Sequence, residues 1–379
     1  MVERKQITLL YVFDENWIGG TYYVLNIIKA LNTLEPHLMP EIKLLYNSGS
    51  SIKLIEEIKY PYISFNEAPL KLSIPQRAIN LLARRFFSIN VFKIKLPFDK
   101  IFNLYPCTTL INFENVIGKY YWIPDFQQNH LPHLFTKRSL KGRTQNINEM
   151  IESNIPIVFS SQNSLDDFHR FYPHGKNKVY VIPFVCILNQ DYKKLHIDEL
   201  CKKFNIDRQY LTSPNQFWIH KNHIVVLKAL KILKERDIKT QVVFTGKEFD
   251  DRNPEYFPSL QKFVVDNDLG DYVRFLGFID RDEQLKLMSE SLAVIQPSLF
   301  EGWSTVVEDA KAVGKFVILS DIPLHKEQIQ KNCKFFDPHN PVDLADKIQS
   351  QLLSTTEFES LDYDMQIKFF AKNILQIIQ

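Results

Sequence analysis

The residues best suited to chemistry lie between Pro297 and Ile329, in PSLFEGWSTVVEDAKAVGKFVILSDIPLHKEQI. Glu301 stands just before a glycine turn, Gly302-Trp303, and Glu308 stands one turn into the helix that TVVEDAKAVG predicts. A glycine loop opening a helix leaves backbone N–H groups around Ser304, Thr305 and Val306 without intrahelical partners, and the helix dipole favours an anion there. A diphosphate suits such a terminus. Glu308 is placed to accept hydrogen bonds from ribose hydroxyls, and Glu301 to reach a sugar. Each glutamate also has a plain structural use. Thr305-Val-Val-Glu308 fits the S/T-x-x-E capping box, and a lone loop carboxylate is ordinarily solvated.

A second polar concentration is SPNQFWIHKNHIVVLKALKIL, where Lys221 sits at a helix start. A lysine ammonium is a compact positive charge for a phosphate, with His220 beside it, although a lysine at a helix start is usually solvated. In the first half, DENWIGG places Gly19 and Gly20 before a helix, and YYWIPDFQQNHLPHLF carries Trp122, Asp125 and His130. A glycine pair serves equally well as a simple turn. Trp17, Trp122, Trp218 and Trp303 all fall in these segments, where an indole face can stack on a sugar or simply pack. His130 and His133, like His220 and His223, are three residues apart, a spacing that puts two ligands on one helix face. Neither pair has a third-ligand pattern, so no metal is expected.

The elements that must hold these residues alternate along the chain. ITLLYVF reads as a first strand, followed by the glycine segment and a helix through Val24, Leu25, Ile28 and Leu31. IKLLYN, IFNLYP, TLINFEN, IPIVFSS and KVYVIPFV read as further strands, with a helix over QNSLDDFHRFY. The polar, lysine-rich DYKKLHIDELCKKFNID then suits a connection. Beyond it come QFW as a strand, a helix from Asn222 to Glu235, TQVVFTG, a helix around Leu260, YVRFLG, DRDEQLKLMSES as a helix, and LAVIQPS. KFVILSD and CKFFD read as strands, and PVDLADKIQSQLL as a helix. Strands alternating with helices imply parallel sheets covered on both faces, with ligands at the carboxyl ends of the strands. MQIKFFAKNILQIIQ is a final apolar helix in need of a surface to cover. The expected division is residues 1–188, 189–355 and a last helix over 356–379.

Length and composition agree. A chain of 379 residues is long for one core and comfortable for two, and 45% apolar with 24% charged residues is the balance of an ordered protein. A net charge of +2 gives no reason to expect a nucleic-acid partner. Cys107, Cys186, Cys201 and Cys333 are scattered, without a C-x-x-C pair, which fits a reducing compartment and a cytoplasmic location. The opening lacks the long apolar core of a signal peptide, and no run approaches the roughly 18 apolar residues that span a bilayer. Between Leu70 and Phe98, however, Lys71, Arg77, Arg84, Arg85, Lys93 and Lys95 are interleaved with Leu, Ile and Phe, without one acidic residue. Such a segment either lies on an anionic membrane or is a solvated surface element.

The segment from Pro297 resembles the signature of family four of the retaining glycosyltransferases, in which two glutamates bracket a glycine turn before a helix. Here Glu301 and Glu308 enclose six residues, one fewer than is usual in that family. The resemblance implies the GT-B fold, two Rossmann-like α/β domains facing across a cleft, with the last helix crossing back to the first. It implies a nucleoside-diphosphate sugar as donor, no metal and no cofactor. It places Lys221 on the donor phosphates, with Gln216 where an arginine is usual. Gly246 in FTGKEF would border the phosphates, and Phe278 and Ile279 in FLGFIDRDEQL would meet the nucleotide base. Gly19 and Gly20 match the glycine turn that faces donor phosphates or acceptor. YYWIPDFQQNHLPHLF resembles a loop of enzymes that build bacterial surface polysaccharides, which makes Asp125 a candidate for contact with the acceptor or the reacting sugar, and His130 and Trp122 candidates on the acceptor side. The function implied is transfer of a sugar, with retention, to an acceptor hydroxyl on a sugar or lipid-linked oligosaccharide, at the inner face of the cytoplasmic membrane if residues 70–98 touch it. A nucleotide-sugar isomerase and an inactive sugar-binding protein are the alternatives.

Overall fold

The computed structural model describes residues 4–11, 13, 18–47, 51–67, 72–87, 89–95, 100–101, 113–114, 117–118, 120–207, 209–354 and 358–377. Trp17, Cys107, most of IFNLYP and TLINFEN, and residues 70–71, 88 and 96–98 of the basic segment lie outside them. The chain forms two compact units, one of residues 1–187 with 364–379 and one of residues 188–363.

In the first unit, β1 (Gln6–Tyr11), α1 (Ile18–Leu31), β2 (Glu41–Tyr46), the single turn α2 (Lys53–Glu56), β3 (Ile63–Glu67) and α3 (Ile74–Phe87) follow one another. β1, β2 and β3 form a parallel sheet in that order, with Leu9 opposite Leu44. Gly19 and Gly20 fall inside the first turn of α1 rather than in a turn before it. Four two-residue strands come next, β4 (Ile94–Lys95), β5 (Lys100–Ile101), β6 (Phe113–Glu114) and β7 (Ile117–Gly118), paired β4 with β6 and β5 with β7. The unit continues through β8 (Tyr121–Ile123), α4 (Gln127–His130), α5 (Lys137–Glu152), β9 (Ile157–Phe159), α6 (Gln162–Phe171) and β10 (Val179–Val181). β8, β9 and β10 form a second parallel sheet with β9 central and wholly buried. Thr136 and Ser161 cap α5 and α6 by accepting the amides of Ser139 and Ser164, which fixes where each helix starts.

The second unit runs α7 (Ile197–Phe204), β11 (Tyr210–Pro214), α8 (His223–Glu235), β12 (Gln241–Thr245), α9 (Tyr256–Asp266), β13 (Val273–Phe275), α10 (Arg281–Glu290), β14 (Val294–Gln296), α11 (Thr305–Ala312), β15 (Val317–Ser320), α12 (Pro323–Gln328), β16 (Cys333–Phe336) and α13 (Pro341–Leu352). Its six strands are parallel in the order β13-β12-β11-β14-β15-β16. β11, β12, β14 and β15 are buried along their whole length, as strands covered by helices on both faces must be. The strand order reverses between β11 and β14, so the loops after these two strands flank the point at which open α/β sheets bind ligands. The first strand of this unit is Tyr210–Pro214, not QFW. Phe217 is apolar for a different reason: it is buried among His223, Phe257 and Phe275 at ring separations of 4.4, 4.7 and 5.6 Å. The last helix, α14 (Tyr363–Ile377), buries Ile367, Phe370, Ala371, Ile374 and Ile377, and from Asp364 onward it belongs to the first unit.

Candidate active site

At the reversal point the loop after β11 is laced to the loop after β14. Asn222 adopts a left-handed conformation at φ 57° and its amide donates to the carbonyls of Pro297 and Pro338, at 3.1 and 2.9 Å. The N–H of Leu299 donates to the carbonyl of His220 at 2.8 Å. These bonds set Lys221 against Glu301, with Nζ 2.6 Å from Oε1 and both side chains largely buried. Gln296, the last residue of β14 and fully buried, supplies a second donor to the same Oε1 at 2.8 Å and reaches Ser298 Oγ and Ser304 Oγ at 3.1 Å. Its own carbonyl oxygen accepts from Asn215 at 2.8 Å. One buried amide thus ties both loops, Glu301 and the start of α11 together.

Ser304, not Thr305, caps α11, its Oγ accepting the N–H of Val307 at 3.4 Å. The capping box on Thr305 and Glu308 is therefore not formed. Glu308 is fully buried and holds three donors: Lys311 at 2.9 Å and Gln328 at 3.0 Å on Oε1, and the Tyr363 hydroxyl at 2.7 Å on Oε2. The expectation of an anion-binding run over Ser304, Thr305 and Val306 needs one correction. The Ser304 N–H is given to Gln328 Oε1 at 3.1 Å, which takes it out of that run. Gly302 is buried beside them and Trp303 half-buried.

Gly246 has φ +144°, and a Cβ there would lie 2.2 Å from the Asn215 carbonyl oxygen, so glycine is required for the loop after β12 to pack on the loop after β11. Its N–H donates to Gly277 O at 2.8 Å, which brings in the loop bearing Phe278, exposed, and Ile279, half-buried. Gln216 is half-buried in the same loop as Lys221. Three histidines surround this region. Burial holds His223 down at about 3 and His325 at about 4, and burial with the neighbouring Lys221 and Arg252 charges holds His220 well below the usual imidazole range. All three are neutral near pH 7. His325 is anchored through Nδ1 to the Ser320 carbonyl at 2.8 Å, and Ser320 Oγ donates to Ser298 O at 2.5 Å.

The first-unit candidates are spread out. Asp125, half-buried, accepts the Gln127 N–H at 3.0 Å through Oδ1. His130 Nε2 pairs with buried Asp167 Oδ2 at 2.6 Å, a partner that the sequence pattern did not point to. Trp122 is not available as a sugar platform on the face that Tyr23 covers. It is buried, stacked on Tyr23 at 3.8 Å, and donates its indole N–H to Ser160 at 2.9 Å. A Cβ on Gly19 would meet nothing within 4 Å. Neither histidine pair shares a helix face: His130 ends α4 while His133 lies in the next short turn, and His220 precedes α8 while His223 begins it. Among the described residues, no group of three or more histidine, cysteine or acidic side chains is arranged to hold a metal ion.

Two Rossmann-like α/β units, the second reversing strand order beside a lysine, a buried glutamate and a helix start, define the GT-B architecture. Residues 197–364 match the family model Glycosyl transferases group 1. The O-antigen chain mannosyltransferase RfbU of Salmonella typhimurium is 24% identical over 215 residues, 48% of this chain and 58% of that protein. The O-antigen biosynthesis glycosyltransferase WclY of Escherichia coli is 27% identical over 197 residues, 51% of this chain and 50% of that protein. The matched segment thus spans 50–58% of the length of these curated relatives. The crystal structure of Anabaena HepE in complex with UDP and glucose aligns over 99% of this chain and 96% of that one, with a TM-score of 0.65 and 14% identity, and shares the fold. The chain has the GT-B fold and resembles the glycosyltransferases of bacterial O-antigen and surface-polysaccharide assembly.

Proposed function

We propose that the protein transfers a sugar from a nucleoside-diphosphate donor to an acceptor hydroxyl, with retention at the anomeric carbon, in the cytoplasmic assembly of a surface polysaccharide or glycolipid. The observation that carries this reading is the Lys221–Glu301–Gln296–Ser304 network at the strand reversal. It pairs a held cation with a helix start, the two features a departing diphosphate needs. The relatives named for O-antigen synthesis and the UDP-bound structure of HepE support the choice of donor and pathway class.

In this mechanism Lys221 and the Thr305 and Val306 amides stabilise negative charge as the bond to the diphosphate breaks. Glu308 receives ribose hydroxyls and Glu301 orients the sugar. Gln216, Gly246, Phe278 and Ile279 line the nucleotide, and Gly302 and Trp303 shape the turn. Asp125 contacts the acceptor or the reacting sugar, His130 lies on the acceptor side, and Gly19 and Gly20 approach the donor phosphates or the acceptor. The retaining course rests on the resemblance to family four. The departing phosphate takes the acceptor proton on the face from which the acceptor attacks, so no enzyme nucleophile is needed.

The test is product analysis. Each nucleotide sugar is incubated with and without a short sugar acceptor, and the linkage formed is read by NMR. A product with the donor's anomeric configuration supports the reading. Inversion contradicts the retaining course, and conversion of donor without acceptor assigns an isomerase instead.

A further inference from the structure

α3 presents an apolar surface to solvent that no other element in the described structure covers. Of its side chains only Asn80 and Ala83 are buried, while Ile74, Leu81, Phe86 and Phe87 are each at least two-thirds exposed and Ile79 and Leu82 about half. At about 100° per residue, Leu81, Ile74, Ala78, Leu82, Phe86 and Ile79 fill one arc roughly 160° wide. Arg77 and Arg84 border that arc on one edge, and Arg85 stands within it. A core-facing helix would show the reverse, with the apolar arc buried and the arginines opposite.

The helix is built to hold this face. Ser73 and Gln76 form a reciprocal capping box, Gln76 N–H to Ser73 Oγ at 3.4 Å and Ser73 N–H to Gln76 Oε1 at 3.0 Å. The buried side of the helix is clamped to the segment that leads into β4. Asn80 donates to Phe92 O at 2.7 Å and accepts Phe92 N–H at 2.8 Å. That clamp brings Ile89, Val91, Lys93 and Lys95, all exposed, alongside the helix.

We infer that this face, α3 with residues 89–95, docks the protein onto an anionic lipid surface. Charge selects the occupant. The 31 residues from Ala68 to Phe98 carry six cations and no carboxylate. Arginines beside a convex apolar arc can extend to lipid phosphates while the leucine and phenylalanine side chains enter the acyl boundary. No helix among the described residues is long and apolar enough to cross a membrane, so the attachment is peripheral.

The test is co-sedimentation with phosphatidylcholine vesicles, with and without about one-third phosphatidylglycerol, which supplies the negative surface. Binding is expected on the anionic vesicles only and should weaken at high salt. Neutralising Arg84 and Arg85 to Gln should lower the partition coefficient about 30-fold, at about 1 kcal/mol per charge. Leu82→Ser with Phe86→Ser should lower it more than about tenfold. Lys228→Gln with Lys231→Gln on α8 makes the same charge change elsewhere and should have no effect. Unchanged thermal unfolding in every variant shows that the fold is kept. Equal loss in the α8 control overturns the assignment, as does absence of vesicle binding, or a wild-type dimer that the Leu82 and Phe86 changes turn into monomer. The readout involves no sugar transfer, so its outcome is independent of the reaction proposed above.

Discussion

Lys221 and Glu301 have separable structural and catalytic consequences. Lys221→Met removes the ammonium 2.6 Å from a carboxylate that is only 9% exposed, while Gln296 still donates to it. Breaking a buried pair from one side costs about 3 kcal/mol, which for a unit of this size lowers Tm by roughly 10 °C. Glu301→Gln leaves the opposite charge uncompensated and should cost a similar amount. The double variant Lys221→Met, Glu301→Gln removes both charges and should return to within about 1 kcal/mol of the parent. Turnover follows another rule. Losing the group that stabilises the departing phosphate costs about 100- to 1000-fold, and restoring stability does not restore it. The assays are thermal unfolding and initial rate on the same four proteins. Stability losses that simply add in the double variant refute the coupling, and near-parental turnover in Lys221→Met refutes the donor-phosphate role.

Two further outcomes follow from buried groups. His220, His223 and His325 are neutral in the folded chain well below pH 6.5, but become protonated there when the chain unfolds. The unfolded state then binds more protons, so stability is full above about pH 6.5 and falls on acidification toward the depressed values, by about 1.4 kcal/mol per pH unit for each histidine. His223, which stacks on Phe217 at 4.4 Å, can be replaced by Phe; the slope of stability between pH 6 and pH 4 should flatten by about one histidine's share. A parallel profile removes His223 from that account. Tyr363→Phe strips the hydroxyl from Glu308 Oε2 and should lower ligand-free stability by about 1–2 kcal/mol. A ribose hydroxyl can then supply the missing donor, so nucleotide affinity should rise several-fold in a calorimetric titration. Unchanged affinity would mean that ribose does not reach that oxygen.

The alternation of elements and the placement of Lys221, Glu301 and Glu308 around one sheet end were legible because short patterns encode them: glycine turns, helical spacing, and buried runs such as Val242–Thr245. What was not legible depends on long-range packing. QFW looks like a strand because Phe217 is buried in an aromatic cluster formed by residues up to 58 positions away. The cap on Ser304 rather than Thr305 is settled by Gln296 and Gln328, whose amides arrive from β14 and α12. Gln296 itself had one usable signal, its position at the carboxyl end of the strand before the glutamate loop. Tyr363 and Asp167 had none, since each reaches its partner from 55 and 37 residues away. Trp122 belongs to a suggestive segment but lies in strand β8, and its stacking on Tyr23 shows why an aromatic residue in such a segment does not by itself mark a sugar contact.

The central claim is that the loops after β11 and β14 hold a nucleoside diphosphate. It is tested most directly by thermal unfolding of the parent protein and Lys221→Met against a panel of nucleoside diphosphates and nucleotide sugars, without added metal. At a hundred times its dissociation constant a ligand adds about 2.7 kcal/mol, a rise of roughly 5–10 °C for a unit of this size. A rise confined to one base in the parent and largely lost in Lys221→Met is the expected result; no rise with any nucleotide, or an equal rise in both proteins, contradicts the claim.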